Sequence, residues 1–363
     1  MKIAFYGSSL LSAYWNGAAT YYRGMLRALS EKGYDITFYE PDVYDRQKNR
    51  DIEPPDWCRV VVYEGTVEAL KSVAAEAKHA DIVVKASGVG FEDDLLLEEV
   101  LRAARRDALK IFWDVDAPAT LGEMRQAPDH PLRRALQSID LVLTYGGGDP
   151  VIAAYRGMGA HDCIPIYNAL DPHTHHPVAP VERFAGDLGF LGNRLPDREA
   201  RVEQFFLEPA SKTPGQKFLL GGSGWGDKPM SSNIAYLGHV GTADHNAFNV
   251  SPKAVLNISR SSMAENGFSP ATRVFEAAGA GACLITDYWD GIDLFLQPDR
   301  EVLVARDGQD VADLMAGLSP ERARQIGAAA LERVLREHTY SHRAEVADEV
   351  FAQAVRRQIE AAE

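Results

Sequence analysis

Three groups of residues in this 363-residue chain have types and spacings suited to chemistry. In "KIFWDVDAPATL", Asp114 and Asp116 stand two apart where an apolar run gives out. Such a pair can hold a divalent cation against a diphosphate, act as a general base, or simply solvate a strand end. If the strand persists through Val115, alternation points both carboxylates the same way. The expectation is a working role for at least one of them, other than holding a metal. The second group is Arg194 and Arg198 in "DLGFLGNRLPDR" with Arg260 in "AVLNISR". Each follows an apolar run, and planar guanidinium forks that converge on one crevice suit phosphate oxygens. The third is Glu276, inside "NGFSPATRVFEAAGAGA".

That last stretch reads as a short helix with Ser269 as N-cap, Pro270 at the first helical position, and Gly279 and Gly281 as the stop. The residues around Glu276 are small and apolar, so its carboxylate is expected to be partly buried and to need partners. One candidate is Arg273, three residues earlier. The other is a pair of neighbouring ribose hydroxyls, should the helix start be aimed at a diphosphate.

Weaker signals lie elsewhere. Asn16 and Gly17 precede a helix, where Gly17 either admits a ligand close to the helix start or makes an ordinary strand-to-helix loop. The loop is not GxGxxG, which counts against a nicotinamide-dependent dehydrogenase. Tyr14, Trp15, Tyr21 and Tyr22 either shape an acceptor surface or pack a core. The tract His173 to His176, "HTHH", has no Cys or Glu at zinc-site spacing and is expected to be a solvated turn. "GGSGWG" has Trp225 where a nucleophile elbow needs glycine, so hydrolase chemistry has no anchor there.

The elements that must position these residues are legible as short apolar runs separated by helical patterns, the signature of a parallel sheet with crossover helices. The first half offers "KIAFY", "DITFYE", "VVVYEG", "DIVVKAS", "KIFWDV", "LVLTYG" and "CIPIYN"; the second offers "DLGFLG", "KFLLGG", "IAYLGH", "AVLNIS", "CLITDY" and "VLVAR". Between them "ALDPHTHHPVAPVERFAG" lacks an apolar period and reads as a linker. The expected fold class is α/β with two doubly wound domains, residues 1–178 and 179–340. A last helix, 341–363, is expected to pack across the domains or cross back to the first. In such sheets ligands bind beyond the carboxyl ends of the strands, where all three groups fall.

Bulk properties set limits. The formal charge of -14 disfavours nucleic acid or an anionic membrane surface as partner, since both are held by clustered Lys and Arg. No window approaches the ~18 apolar residues of a membrane span, so no integral membrane association is expected. The start "MKIAFYGSSLL" reads as strand and turn rather than a signal peptide. Cys58, Cys163 and Cys283 are widely spaced and expected to be reduced, buried thiols of a cytoplasmic protein.

Together, "NGFSPATRVFEAAGAGACLITDYWDGIDLFLQPDREVLVA", "FWDVDAPATL", "DLVLTYGGGDP", "GFLGNRLPDR", "IAYLGHV", "LNISR" and "HTYSHRA" resemble glycosyltransferases of the GT-B architecture, most closely the CgeB-like, spore-maturation-type family. The resemblance implies two Rossmann-like domains facing a central cleft. It implies a nucleotide-sugar donor, UDP-linked by preference, bound mainly by the second domain, and an unknown small-molecule, glycan or protein acceptor bound mainly by the first. Glu276 then matches the ribose-binding glutamate, and Gly238, His239 and Val240 the loop that reads the base. Arg194, Arg198 and Arg260 lie near the diphosphate; Ser269, Pro270, Ala271 and Thr272 lie near diphosphate and sugar. Asn16 and Gly17 belong to an acceptor or diphosphate loop, and Asp114 or Asp116 activates or orients the acceptor. No metal or other cofactor is implied.

Many retaining members carry two glutamates separated by seven residues, but Phe268 stands where the first belongs, and the nearest upstream acid is Glu265. Stereochemistry is therefore not carried over. A nucleotide-sugar epimerase of the same fold, or a non-catalytic binding or assembly protein, remains the alternative.

Overall fold

In the computed structural model, strands β1 (Lys2–Tyr6), β2 (Asp35–Asp42), β3 (Arg59–Glu64), β4 (Ile82–Ala86), β5 (Leu109–Asp114), β6 (Leu141–Thr144) and β7 (Cys163–Pro165) form one parallel sheet. Strands β8 (Leu188–Leu191), β9 (Phe218–Gly221), β10 (Ile234–Gly238), β11 (Ala254–Asn257), β12 (Leu284–Asp287) and β13 (Leu303–Ala305) form another, also parallel. The structure describes every residue except Trp15 and Glu363, and for 361 and 362 only the backbone. The reading of Trp15 as acceptor surface or core thus lies outside the described residues.

The strand orders are β3-β2-β1-β4-β5-β6-β7 and β10-β9-β8-β11-β12-β13. Both are doubly wound, and in each the order reverses between the first and fourth strands, which opens a crevice at β1/β4 and at β8/β11. The runs that build them are short, rich in Val, Ile, Leu and Phe, and buried, as strands covered by helices on both faces must be. This is the two-sheet Rossmann-like architecture of the GT-B fold.

The chain forms two compact units, Met1–Tyr167 with Tyr340–Glu363, and Asn168–Thr339. The division falls at Tyr167/Asn168, before the segment read as a linker. That segment packs on the second unit: Leu170 lies so close to Gly279 that a Cβ there would sit 2.2 Å from the leucine Cδ1. The helix Pro320–Glu337 belongs to the second unit, whereas Tyr340–Ala362 belongs to the first. There it packs on the helix Ala18–Glu31 at Gly24, whose bare Cα leaves room for the Tyr340 ring. Phe351 meets Trp113 and Tyr34, and the Tyr34 hydroxyl donates to Asp348 (2.6 Å). The three cysteines are buried and unpaired. Among the described residues no helix is long and apolar enough to cross a membrane.

Candidate functional site

Three of the second unit's buried, under-satisfied polar groups, on Arg198, Asn249 and Ser269, lie around the β8/β11 crevice. Arg198 follows β8, and its guanidinium gives one hydrogen bond to the Asn193 carbonyl while its buried Nε has no partner. Burial, then the charges of Arg273 and Arg260, pull its pKa down to about 10 against the opposing carboxylates of Asp197 and Asp287. Cations crowded together in low dielectric are costly unless an anion joins them. Arg273 donates to Asn249 Oδ1 (3.0 Å) and to the Leu191 carbonyl (3.3 Å), tying the helix Thr272–Gly279 to the end of β8. Asn249 Nδ2 and Ser269 Oγ are likewise buried without partners.

Glu276 lies on that helix with its side chain 12% exposed, and Oε2 is 3.9 Å from Arg273 Nη1. Burial pushes the carboxyl up, but His175, Arg273, His245 and a hydrogen bond from Thr272 outweigh it and hold the group below its ordinary value. Burial, then the Arg273 charge, pulls His245 down to about 4.

The helix begins later than its sequence suggests. Its N-cap is Ala271, so Ser269 caps nothing and Pro270 precedes the helix. Pro270 instead offers its carbonyl to Asn168 Nδ2 (3.0 Å). The cause is upstream: Gly267 and Phe268 take successive positive φ values of 67° and 49°, and Phe268 N–H donates to the Asp290 carbonyl (2.6 Å). Phe268 is held in this sparsely populated conformation by packing on Gly291, where any Cβ would collide with its ring. The apolar ring thus fills the place at which a second carboxylate was sought.

Other expected donor residues separate into two sets. Arg194 is committed to carboxylates, donating to Glu199 (2.7 Å) and Asp227 (2.9 Å), so its fork is a strut between loops. Arg260 donates through Nε to Asp197 (2.5 Å) and stands at the start of the helix Ser261–Asn266. His239 is exposed, while Val240 is buried and its carbonyl faces His245 Nε2 (3.3 Å). "GGSGWG" forms a turn against β8 in which Trp225 is buried and donates to the Gly192 carbonyl (2.8 Å).

The first unit separates Asp114 from Asp116. Asp114 is fully buried at the end of β5 and accepts from Ser87 Oγ (2.7 Å), Thr120 Oγ1 (3.0 Å), Asp116 N–H (3.0 Å) and Tyr155 OH (2.5 Å). Burial raises its pKa, though these hydrogen bonds oppose the rise. The expectation that it activates an acceptor is corrected on this ground: its acceptor capacity is spent on the scaffold. Asp116 is half-buried at the N-cap of the helix Ala117–Gln126 and lines a cavity of about 390 Å³ with Lys85, Ser87, Asp94, Glu123 and His130. Lys85 in that wall is paired with Asp93 (2.6 Å).

Asn16 also proves to be scaffold. Its Oδ1 accepts from Ser8, and its Nδ2 donates to the carbonyls of Ser9 and Ser12, all at 2.9–3.0 Å. Gly17 is exposed, with open space around its missing Cβ. Tyr21 and Tyr22 are core residues.

Sequence reasoning missed His175, His245 and Asn249. His175 lies in the tract taken for a solvated turn. The turn is there, with His175 N–H bonded to the Asp171 carbonyl (3.0 Å), but the ring is buried while His173 and His176 are exposed. One donor atom from each of His175, His245 and Glu276 lies within 4.8 Å of the others.

Residues 198–348 match the family described as glycosyl transferase-like, giving the second half of the chain a glycosyltransferase family domain. No curated protein sequence matches the chain. Among solved structures, a sucrose-phosphate synthase from Thermosynechococcus elongatus is similar over 100% of both chains, with TM-score 0.71 and 14% identity. Anabaena HepE, solved with UDP and glucose, is similar over 97% of this chain and 100% of its own (TM-score 0.67, 12% identity). T4 phage BGT, solved with its UDP-glucose substrate, covers 98% and 99% (TM-score 0.61, 12% identity). These likenesses establish the GT-B fold.

Proposed function

We propose that the protein is a glycosyltransferase of the CgeB-like type that takes a sugar from a UDP-linked donor without needing a metal. The observation that carries this reading is the under-satisfied cationic crevice at β8/β11. Arg198, Arg273 and Arg260 crowd there beside the orphaned donors Arg198 Nε, Ser269 Oγ and Asn249 Nδ2. A diphosphate supplies acceptor oxygens for the three orphaned donors and negative charge beside Arg198. Glu276, one to two turns into the adjoining helix, accepts from the ribose hydroxyls. That HepE and T4 phage BGT were solved with UDP or UDP-glucose supports the choice of donor.

As the diphosphate leaves, the arginines stabilise its developing charge. In the first unit the cavity beside Asp116 takes the acceptor, and Asp116 orients or deprotonates its nucleophile. Its acid-rich lining suits a polyhydroxylated or amine-bearing molecule. With no second carboxylate beside the donor sugar, the stereochemical course is set by other groups.

Calorimetry with UDP, GDP, ADP and TDP tests the donor class: UDP should bind most tightly, and equal or absent binding of all four would remove the reading. Incubation of the matching UDP-sugars alone then separates this function from epimerisation, which would yield a new sugar without any acceptor.

A further inference from the structure

His175, His245 and Glu276 come from three separate segments: a turn after Asn168, the helix His245–Val250 and the helix Thr272–Gly279. Their donor atoms lie within 4.8 Å of one another. Each imidazole has a hydrogen-bond partner on one nitrogen and can offer the other to a ligand. Thr174 Oγ1 is 3.2 Å from the Asp171 carbonyl and 3.0 Å from His175 Nδ1, so with the Thr174 proton on that carbonyl His175 is the Nδ1–H tautomer and donates to Thr174. His245 Nε2 faces the Val240 carbonyl and also donates. A lone pair is left on His175 Nε2 and on His245 Nδ1, the form in which imidazole ligates, with the outer hydrogen bond orienting each ring.

We propose that His175, His245 and Glu276 bind a divalent transition-metal ion of the zinc type, and that this ion competes with the nucleotide ribose for the Glu276 carboxylate. The metal half stands on the three side chains alone; the competition half rests on the donor reading above. Two imidazoles and a carboxylate favour zinc over magnesium or calcium, which prefer oxygen ligands, and three protein ligands leave a fourth position for water. An ion about 2.1 Å from each donor would draw the three to about 3.4 Å apart, a contraction within reach of side-chain torsions. Arg273, 3.9 Å from Glu276, opposes added positive charge and makes occupancy reversible. The ion would therefore act as a brake on donor binding rather than as a participant in transfer.

The test is titration of the full chain with ZnCl2 by calorimetry, with Co2+ absorption as a second readout of coordination. One ion per chain is expected. His175→Ala and His245→Ala should each weaken binding by at least about 10-fold. The exposed pair His173→Ala/His176→Ala should leave it unchanged. If either alanine variant fails to fold, His175→Asn and His245→Gln give the same reading. Absence of binding, or binding lost only with the exposed pair, overturns the metal site. UDP titrated with saturating Zn2+ should show an apparent Kd raised at least about 10-fold, and an unchanged Kd overturns the competition. Zinc uptake by a protein that never binds UDP upholds the metal site and removes the donor reading.

Discussion

Asp114 and Glu276 are both carboxylates enclosed near the carboxyl end of a parallel sheet, one in each unit, yet they are furnished in opposite ways. Around Asp114 four neutral donors converge. Around Glu276 stand an arginine and two imidazoles, next to buried donors that have nothing to bond. Buried polar groups are almost always paired in a finished structure, so the unpaired ones here support the proposed donor site. On that proposal, a carboxylate buried among its own donors holds the fold, whereas one among spare charges serves binding.

The comparison can be broken by substitution. Asp114→Ala should have the largest effect, because it strands Ser87, Thr120 and Tyr155 together; urea unfolding should show a loss of about 3 kcal/mol or more. UDP affinity of the folded protein should not change. Arg198→Ala should do the reverse, weakening UDP binding by about 1.5–3 kcal/mol, the worth of a charged hydrogen bond, while the thermal midpoint of the free protein holds or rises. Lost stability with unaltered affinity would place Arg198 with Asp114 as scaffold.

Glu276→Ala should weaken nucleotide binding by ~1–3 kcal/mol. The contrast sharpens with 2′-deoxy-UDP: the natural protein should bind it less well than UDP, and the variant should no longer distinguish the two. The smallest effect is expected at Arg194, whose alanine variant should keep UDP affinity within about twofold because its charge is already matched by the part-buried Glu199 and the exposed Asp227. Its signature is acidic. Hydrogen bonds from Arg194 and Lys228 hold Glu199 at about 2. The unfolded chain, with an ordinary glutamate near pH 4.5, binds the proton first. This contribution is thus complete above that pH, shrinks as pH falls and is gone below about 2. Acid titration of Arg194→Ala should show a shallower decline through that window.

The strands were readable because most are short, predominantly apolar runs with little alternative to a buried strand, and the turn residues between them mark the crossovers. The placement of Arg198 just after β8 was readable too, since the apolar run "DLGFLG" ends shortly before it. What could not be read depends on tertiary placement. Nothing in "HTHH" distinguishes His175 from its neighbours until the helix bearing Glu276 is set against it. Asp114 and Asp116 look equivalent in sequence, yet Tyr155, forty-one positions on, decides that one is spent. Ser269 has the chemistry of a cap, but the left-handed Gly267–Phe268 step moves the helix start past it.

The chain leaves its first unit after Tyr167 and re-enters it at Tyr340. Where it leaves and returns, the strands run side by side: Leu170 pairs with Thr339 and donates to the His338 carbonyl. In genetic terms the second unit is an uninterrupted cassette inserted into the coding sequence of its host. Residues 168–339 could be excised or exchanged through two cuts in the gene. A single cut would instead strip the host of the helix that seats Tyr340 on Gly24.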